Sequence, residues 1–235
     1  MSRAGLGHAP PSAQSPRGSS WPLALGLALL LPFMEWAGLQ LLHLSGMPLT
    51  TSSLWATTLI VNALFVGLLL ALAGRSIQFR WAVPGIKDIG LTLAAFVAGW
   101  VVIPMVQLVT AMFVTAGASS GGTGVSLVPT TATDMILLAA ASVAAALSQE
   151  VTYRGVLWER MASSTGNRWV ALVGTSLFFG LVYLSSGVDD YLSVGVAWGL
   201  VAGGLYLVTR RLSTVVVLNT LNTFLTYAVL FRYLM

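Results

Sequence analysis

The residues that could do chemistry in this sequence are concentrated in one polar stretch, residues 148–157, within an otherwise apolar region. Glu150 and Arg154 are four positions apart, so on a helix their side chains lie on one face and can form an ion pair. One interpretation is a structural ion pair at the cytoplasmic end of a helix. The other is a carboxylate held in a protein-lined cavity, where it can act as a general base. The spacing alone leaves both interpretations open.

Few other residues offer chemistry. The sequence has no cysteine and only two histidines, His8 and His43, which excludes a disulfide scaffold, a thiolate zinc site and a cysteine nucleophile. We therefore expect no metal ion and no cofactor. Glu35 is a further carboxylate inside an apolar segment. It is either a protonated residue hydrogen-bonded to a neighbouring helix, a second carboxylate facing Glu150, or a step in a proton relay.

The composition shows what kind of scaffold must position these groups. Hydrophobic residues make up 57% of the 235 and charged residues only 8%, whereas roughly a quarter of a soluble domain is charged. So few charges cannot cover a water-soluble surface, and we predict an all-α, polytopic membrane helix bundle. The net charge of +4 comes from eleven cations spread along the chain. They form no basic face, so we expect the lipid bilayer and no nucleic acid as a partner.

Seven segments have the roughly 20 apolar residues that a bilayer core of about 30 Å requires. They are residues 22–44, 53–73, 91–116, 135–150 and somewhat beyond, 169–185, 191–209 and 214–234. We predict that residues 1–20 form a disordered cytoplasmic tail and that residues 21–235 form one transmembrane bundle. Gly195, Gly199 and Gly203 predict a helix face for close packing. Five tryptophans are predicted at the membrane interfaces, namely Trp21, Trp55, Trp81, Trp158 and Trp169.

The distribution of cations predicts the orientation in the membrane. If successive connections alternate between the two sides, ten cations fall on one side: Arg3, Arg17, Arg75, Arg80, Lys87, Arg154, Arg160, Arg168, Arg210 and Arg211. The other side has only Arg232. The positive-inside rule then places the N-terminus in the cytoplasm and the C-terminus outside. The glycine-rich loop 118–133 is predicted to be external and to end at a helix cap on Thr133 or Asp134.

The motifs resemble a known family. Residues 149–157 read Gln-Glu-x-x-x-Arg-Gly-x-Leu, which resembles the first motif, Glu-Glu-x-x-x-Arg-Gly-x-Leu, of the CPBP family. These are the CAAX-processing and bacteriocin-processing intramembrane proteases, also called the Abi family. Residues 176–184 are similar to the second motif, whose core is Phe-x-x-x-His. Residues 198–207 resemble the Gly-x-x-x-Gly-x-x-Tyr helix of the family, and residues 218–222 stand where it has His-x-x-Asn or His-x-x-x-Asn. The resemblance covers about residues 145–225.

The resemblance implies a site made of Glu150 and Arg154 together with Gln149, Tyr183, Asn219 and Asn222. In the family, the second Glu of the first motif, aided by histidines, is thought to activate water for attack on a peptide bond. This sequence has Gln149 for the first Glu, Tyr183 for the second-motif His and Asn219 for the third-motif His. None of these three titrates near neutral pH. Losing a positioned acid–base group typically lowers the rate by ~10²–10⁴.

Three functions remain open, all in an integral multi-pass protein that we expect in the cell membrane. The first is a degenerate relative, in effect a pseudoenzyme, that keeps a cavity for membrane-anchored protein or peptide substrates and acts as scaffold, immunity factor or regulator. The second is an active intramembrane endopeptidase that uses Glu150. The third is an ion-coupled transporter that uses Glu35 and Glu150. For a shared site, Tyr183 and Asn219 must approach Glu150, and their different predicted depths require tilted or broken helices around a cavity.

Overall fold

The computed structural model describes residues 20–73, 81–113 and 127–230. Over these ranges every regular element is helical, and seven helical segments are long and apolar enough to cross a membrane. The prediction of an all-α polytopic bundle is confirmed. The tail of residues 1–19 and the glycine-rich stretch 118–126 lie outside the described ranges, so their predicted states stay predictions.

The first three spans are single helices: α1 (Trp21–Leu44), α2 (Thr51–Ala73) and α3 (Ile86–Phe113). The last four are interrupted or extended. α4 (Ala132–Glu150) continues through a π-helical turn (Val151–Leu157) into α5 (Trp158–Thr165). α6 (Arg168–Gly180) continues as a 3₁₀ helix (Leu181–Ser186). The short α7 (Val188–Asp190) and a π-helical turn (Tyr191–Ala197) lead into α8 (Trp198–Thr209). The last span is α9 (Leu212–Leu225), which ends in a π-helical turn (Thr226–Leu230).

The segment from α4 to α5 is the centre of the bundle. Its apolar window is 61% buried, against 11% for α3, which lies at the periphery. α4 packs against α2 and α9, and the π-helical turn after it contacts α1 and α6. Alanines on α4, including Ala141, Ala145 and Ala146, are buried, and their small side chains let the neighbouring helices approach closely. Glu150 therefore lies where several spans converge.

Glycines allow the α6 and α8 spans to pack closely. A Cβ atom added to Gly195 would lie 2.5 Å from the Cα of Gly180, and one added to Gly199 would lie 3.0 Å from the Cα of Ser176. Both distances are shorter than ordinary van der Waals contact, so larger residues would separate the backbones. The predicted packing face is confirmed. It brings the start of α8 against the middle of α6, next to the polar cluster.

The structure corrects two predictions about the ends of spans. The N-cap of α4 is Thr131, whose side chain accepts a hydrogen bond from the Asp134 backbone. Asp134 is thus the third residue of the helix, and its carboxylate returns a hydrogen bond to the cap in a capping box. The predicted cap at Thr133 or Asp134 was wrong, because both residues already lie inside the helix.

Two of the tryptophans predicted at membrane interfaces lie inside the bundle. Trp158 is fully buried and packs edge-to-face on Tyr206, with ring centroids 5.4 Å apart. Trp55 is also buried and packs in the same way on Tyr227. Apolar aromatic rings serve equally well as core and as interface residues. The sequence pattern could not separate these two roles.

Candidate functional site

Glu150 is the last residue of α4, and its side chain is completely buried. Its Oε1 atom accepts hydrogen bonds from Nη1 of Arg154 and from Nδ2 of Asn219, each at 3.2 Å. Its Oε2 atom also lies 3.2 Å from Nη1 of Arg154. The predicted ion pair is confirmed, but not at a helix end near the cytoplasm. The helical segment continues from Glu150 to Thr165, so the pair lies inside the bundle.

Arg154 is held by three different spans. Besides its contacts with Glu150, its Nη2 atom donates a hydrogen bond of 2.8 Å to the carbonyl oxygen of Gly199 on α8. Its guanidinium carbon lies 4.7 Å from the centre of the Phe179 ring on α6, a cation–π distance. Like Glu150, Arg154 has no exposed surface. It therefore does not belong among the ten cations counted on the cytoplasmic side, and that bias becomes nine to one.

Asn219 connects the two first-motif residues to α9. Its Nδ2 atom donates to Oε1 of Gln149 at 3.0 Å as well as to Glu150. Its Oδ1 atom accepts a hydrogen bond of 3.2 Å from the indole nitrogen of Trp198. The structure thus brings Gln149, Glu150, Arg154 and Asn219 into one buried network.

The other two residues implied by the resemblance are less closely joined to this network. Tyr183 lies on the 3₁₀ helix, is half-buried, and packs its ring 5.8 Å from that of Phe179. It interacts electrostatically with Glu150, although no hydrogen bond links its hydroxyl to another residue of the described ranges. Asn222 is nearly buried one turn beyond Asn219, but its side chain makes no hydrogen bond within the described part of the chain.

Glu35 approaches the same network from α1. Its carboxylate interacts with the side chains of Asn62 on α2 and Gln149 on α4, and it acts electrostatically on Tyr183. The predicted second carboxylate therefore faces Gln149 more directly than Glu150. Unlike Glu150, Glu35 retains some exposed surface.

Sequence reasoning missed Asn62 and Trp198. Asn62 is fully buried; its Oδ1 contacts the hydroxyl of Ser148, and its Nδ2 donates to the carbonyl of Thr58 at 2.9 Å. A lone amide inside the apolar 23-residue α2 is itself a signal, because such a residue in a span requires a partner. Trp198 carried no comparable signal, since tryptophan also occurs as a core residue.

The arrangement defines what this site can do. It contains two carboxylates, one guanidinium and several amide and phenol groups, but the described network includes no imidazole. Within the described ranges no group of three or more His, Cys, Asp or Glu residues could hold a metal ion. The side chains can therefore bind polar groups by hydrogen bonds and charge. Acid–base chemistry would fall on the two carboxylates alone.

Comparisons with known proteins agree with the motifs. The model of a family described as type II CAAX prenyl endopeptidase Rce1-like matches residues 131–225. The match starts at the cap of α4 and ends with α9, and it confirms the resemblance to the CAAX-processing proteases. No curated protein and no solved structure matches the chain significantly.

Proposed function

Because residues 131–225 match the Rce1-like family while Tyr183 and Asn219 stand where the motifs of the CPBP family have histidines, we propose that this membrane protein binds a membrane-anchored protein or peptide without hydrolysing it. It acts in the cell membrane as a scaffold, an immunity factor or a regulator. The observation that carries the proposal is the state of Glu150, which is fully buried and neutralised by Arg154.

The environment of Glu150 is unfavourable for activating water. A general base must lie within hydrogen-bond reach of the water that it deprotonates. Glu150 has no exposed surface, and its charge is already balanced by the guanidinium group of Arg154. Peptide hydrolysis also requires a group that stabilises the oxyanion and one that protonates the leaving amine. Tyr183 and Asn219 fill such roles poorly, because neither side chain exchanges protons near neutral pH.

The same groups are well suited to binding. The exposed parts of Glu35 and Tyr183 adjoin the amide of Gln149, so polar groups are accessible next to the buried network. Carbonyl and amide groups of a peptide that enters the apolar bundle gain most from such partners, since no water is present there to replace them. A site that keeps these contacts and lacks the acid–base groups retains a peptide and leaves its backbone intact.

The test is cleavage of an intact membrane-anchored CAAX-type substrate, followed by gel shift. The parent protein is compared with Glu150→Ala and with Asp189→Asn, which removes an exposed charge far along the sequence from the site. We expect no cleavage by any of the three and binding of the substrate by the parent and Asp189→Asn. Cleavage by the parent that is lost in Glu150→Ala would overturn the proposal. Absence of binding by the parent would overturn it as well.

One observation favours a second candidate, an active endopeptidase. Glu35 places a carboxylate beside Gln149, the residue that replaces the first Glu of the family motif. Two carboxylates can divide the roles of base and acid between them. If this candidate is right, the cleavage assay will show activity in the parent that is lost in both Glu150→Ala and Glu35→Gln.

A further inference from the structure

The charges around the polar network do not balance. Glu35 and Glu150 contribute two carboxylates, and Arg154 is the one cation of the described ranges that acts on either of them. Arg154 is already committed to Glu150 and to the carbonyl of Gly199. α1 and α2, which flank Glu35, contain no lysine or arginine. An ionised carboxylate in apolar surroundings needs a positive partner, and Glu35 has none in the described part of the chain.

Glu35 nevertheless faces the interior of the bundle. The buried residues of α1 recur at helical spacing and form the stripe Ala24, Leu27, Ala28, Leu31, Gly38 and Leu42. Glu35 lies on this stripe, four residues after Leu31 and three before Gly38. Tyr153 fixes the stripe to the π-helical turn through a 3.1 Å hydrogen bond from its hydroxyl to the carbonyl of Ala28.

The packing of α1 on α2 sets the position of Glu35. A Cβ atom added to Gly38 would lie only 2.6 Å from Cγ2 of Val61, so the two helices approach closely at this point. Glu35 is one turn before Gly38, and Asn62 follows Val61, which brings the carboxylate and the amide together at the α1–α2 contact. The position of Glu35 thus follows from the packing of rigid helices and not from a loop.

The groups next to Glu35 are neutral and include aromatic rings. Asn62 and Gln149 contribute amides, and Tyr153 and Tyr183 contribute phenol rings in electrostatic contact with Glu35. A carboxylate among aromatic rings attracts an ammonium group through both charge and the ring faces. Partial exposure of Glu35 and Tyr183 leaves a route for such a group, in contrast to the sealed Glu150 and Arg154.

We propose that Glu35 is the receptor for a primary ammonium group, the lysine side chain or free N-terminus of the membrane-anchored peptide. This inference rests on the proposed function, because it names the part of the peptide that the cavity selects. The ammonium group supplies the positive charge that the network lacks. Its three N–H donors contact the carboxylate of Glu35 and the hydroxyl of Tyr183, while the apolar remainder of the peptide lies among the helices.

The ammonium site is tested first without a peptide. Thermal unfolding in neutral detergent is followed with added dodecylammonium or, as an uncharged probe of equal chain length, dodecanol. We expect dodecylammonium to raise the unfolding temperature of the parent and of Asp189→Asn by several degrees, and that of Glu35→Gln no more than dodecanol does. An equal response of Glu35→Gln and the parent to dodecylammonium would overturn the proposal. If Glu35→Gln fails to fold, Glu35→Asp, which keeps the charge, must retain the response. Loss of the response in Glu35→Asp, or equal responses of the parent to dodecylammonium and dodecanol, would then overturn it.

A second arm connects the site to the peptide. An apolar helical peptide with one central lysine is compared with the same peptide carrying norleucine, for binding to the protein in neutral lipid nanodiscs. We expect the lysine peptide to bind the parent at least tenfold more tightly, and this preference to disappear in Glu35→Gln. Equal binding of both peptides by the parent would refute the ammonium site and leave the proposed function standing. If neither peptide binds while dodecylammonium still distinguishes the parent from Glu35→Gln, the ammonium site stands and the proposed function fails.

Discussion

Arg154 lies one helical turn after Glu150 and places Nη1 at 3.2 Å from each oxygen of its carboxylate, with both side chains fully buried. A buried ion pair is not in itself strongly stabilising, because removing two charges from water offsets most of the attraction between them. Removing one partner has a much larger effect, since the remaining charge is then buried alone. The pair therefore makes folding and the chemistry of the site depend on the same two residues.

The first prediction concerns the stability of this pair. Arg154→Ala leaves a buried carboxylate and also removes the contacts with Gly199 and Phe179. We expect it to lower the free energy of unfolding by about 3–5 kcal/mol. Glu150→Gln should have a smaller effect, because an amide is desolvated more easily than a charge. Denaturation in detergent measures both.

The matched control for these variants is Arg168→Ala, which removes an exposed arginine at the start of α6. Its effect should stay within about 0.5 kcal/mol, as for most surface substitutions. If Arg154→Ala unfolds at the same denaturant concentration as Arg168→Ala, the two buried charges are not coupled as the structure indicates.

The second prediction concerns the contact between the α6 and α8 spans. Gly195→Ala would force its Cβ against the backbone of Gly180, and we expect a loss of about 1–3 kcal/mol, as for other overpacked interiors. The control lies on α8 itself: a Cβ on Gly204 meets no atom within 4 Å. Gly204→Ala should therefore be neutral or slightly stabilising, because alanine favours helix more than glycine does. Thermal unfolding that ranks the two variants in the opposite order would contradict the packing.

The third prediction concerns lost activity. The triple variant Gln149→Glu, Tyr183→His and Asn219→His restores the groups of the family motifs around Glu150. Imidazole titrates near neutral pH and can exchange protons with water and with a leaving amine. We expect this variant to cleave a membrane-anchored CAAX-type substrate that the parent leaves intact. The triple variant combined with Glu150→Ala is the control, and it should be inactive; cleavage by that control would show that the activity does not depend on Glu150.

The fourth prediction concerns orientation. Even without Arg154, nine cations lie on one side of the proposed topology and one on the other. Reporters fused after Arg168 and after Arg211 should be cytoplasmic, and a reporter fused after Asp190 should be external. Enzymatic activity of compartment-specific reporters measures this. An external signal after Arg168 would invert the connection between the fourth and fifth spans and disprove the assigned topology.

Much of the fold follows from composition and hydropathy, because crossing a bilayer requires a run of apolar residues whatever the sequence of neighbours. The spacing of Glu150 and Arg154 also predicted their contact, since residues four apart on a helix are adjacent. The site beyond this pair depended on contacts between distant segments. Asn62 and Ser148 are 86 positions apart, and Trp198 and Asn219 are 21 apart. Single sequences do not record which spans pack together, so these partners could not be deduced.

The interruptions of the helices were anticipated only in general terms. The different depths of Tyr183 and Asn219 required broken or tilted helices, and the structure has a 3₁₀ helix at Tyr183 and a π-helical turn directly after Glu150. Nothing in the hydrophobic pattern located these interruptions, because π-helical and α-helical segments have the same apolar composition. The burial of Trp158 was missed for a similar reason: the chain continues past Glu150 as one long helical segment, and its far end folds back into the core.

The π-helical turn Val151–Leu157 makes the length of this segment as important as its composition. In a π-helix the hydrogen bonds span five residues instead of four, so the turn contains an additional residue relative to an α-helix. Deleting one residue would restore the α-helical pattern but rotate everything after it by about 100°. Trp158 would leave the core, and Glu159 would lose its 3.0 Å hydrogen bond from the hydroxyl of Tyr206. Natural variants of this protein should therefore tolerate replacements in the turn far better than insertions or deletions.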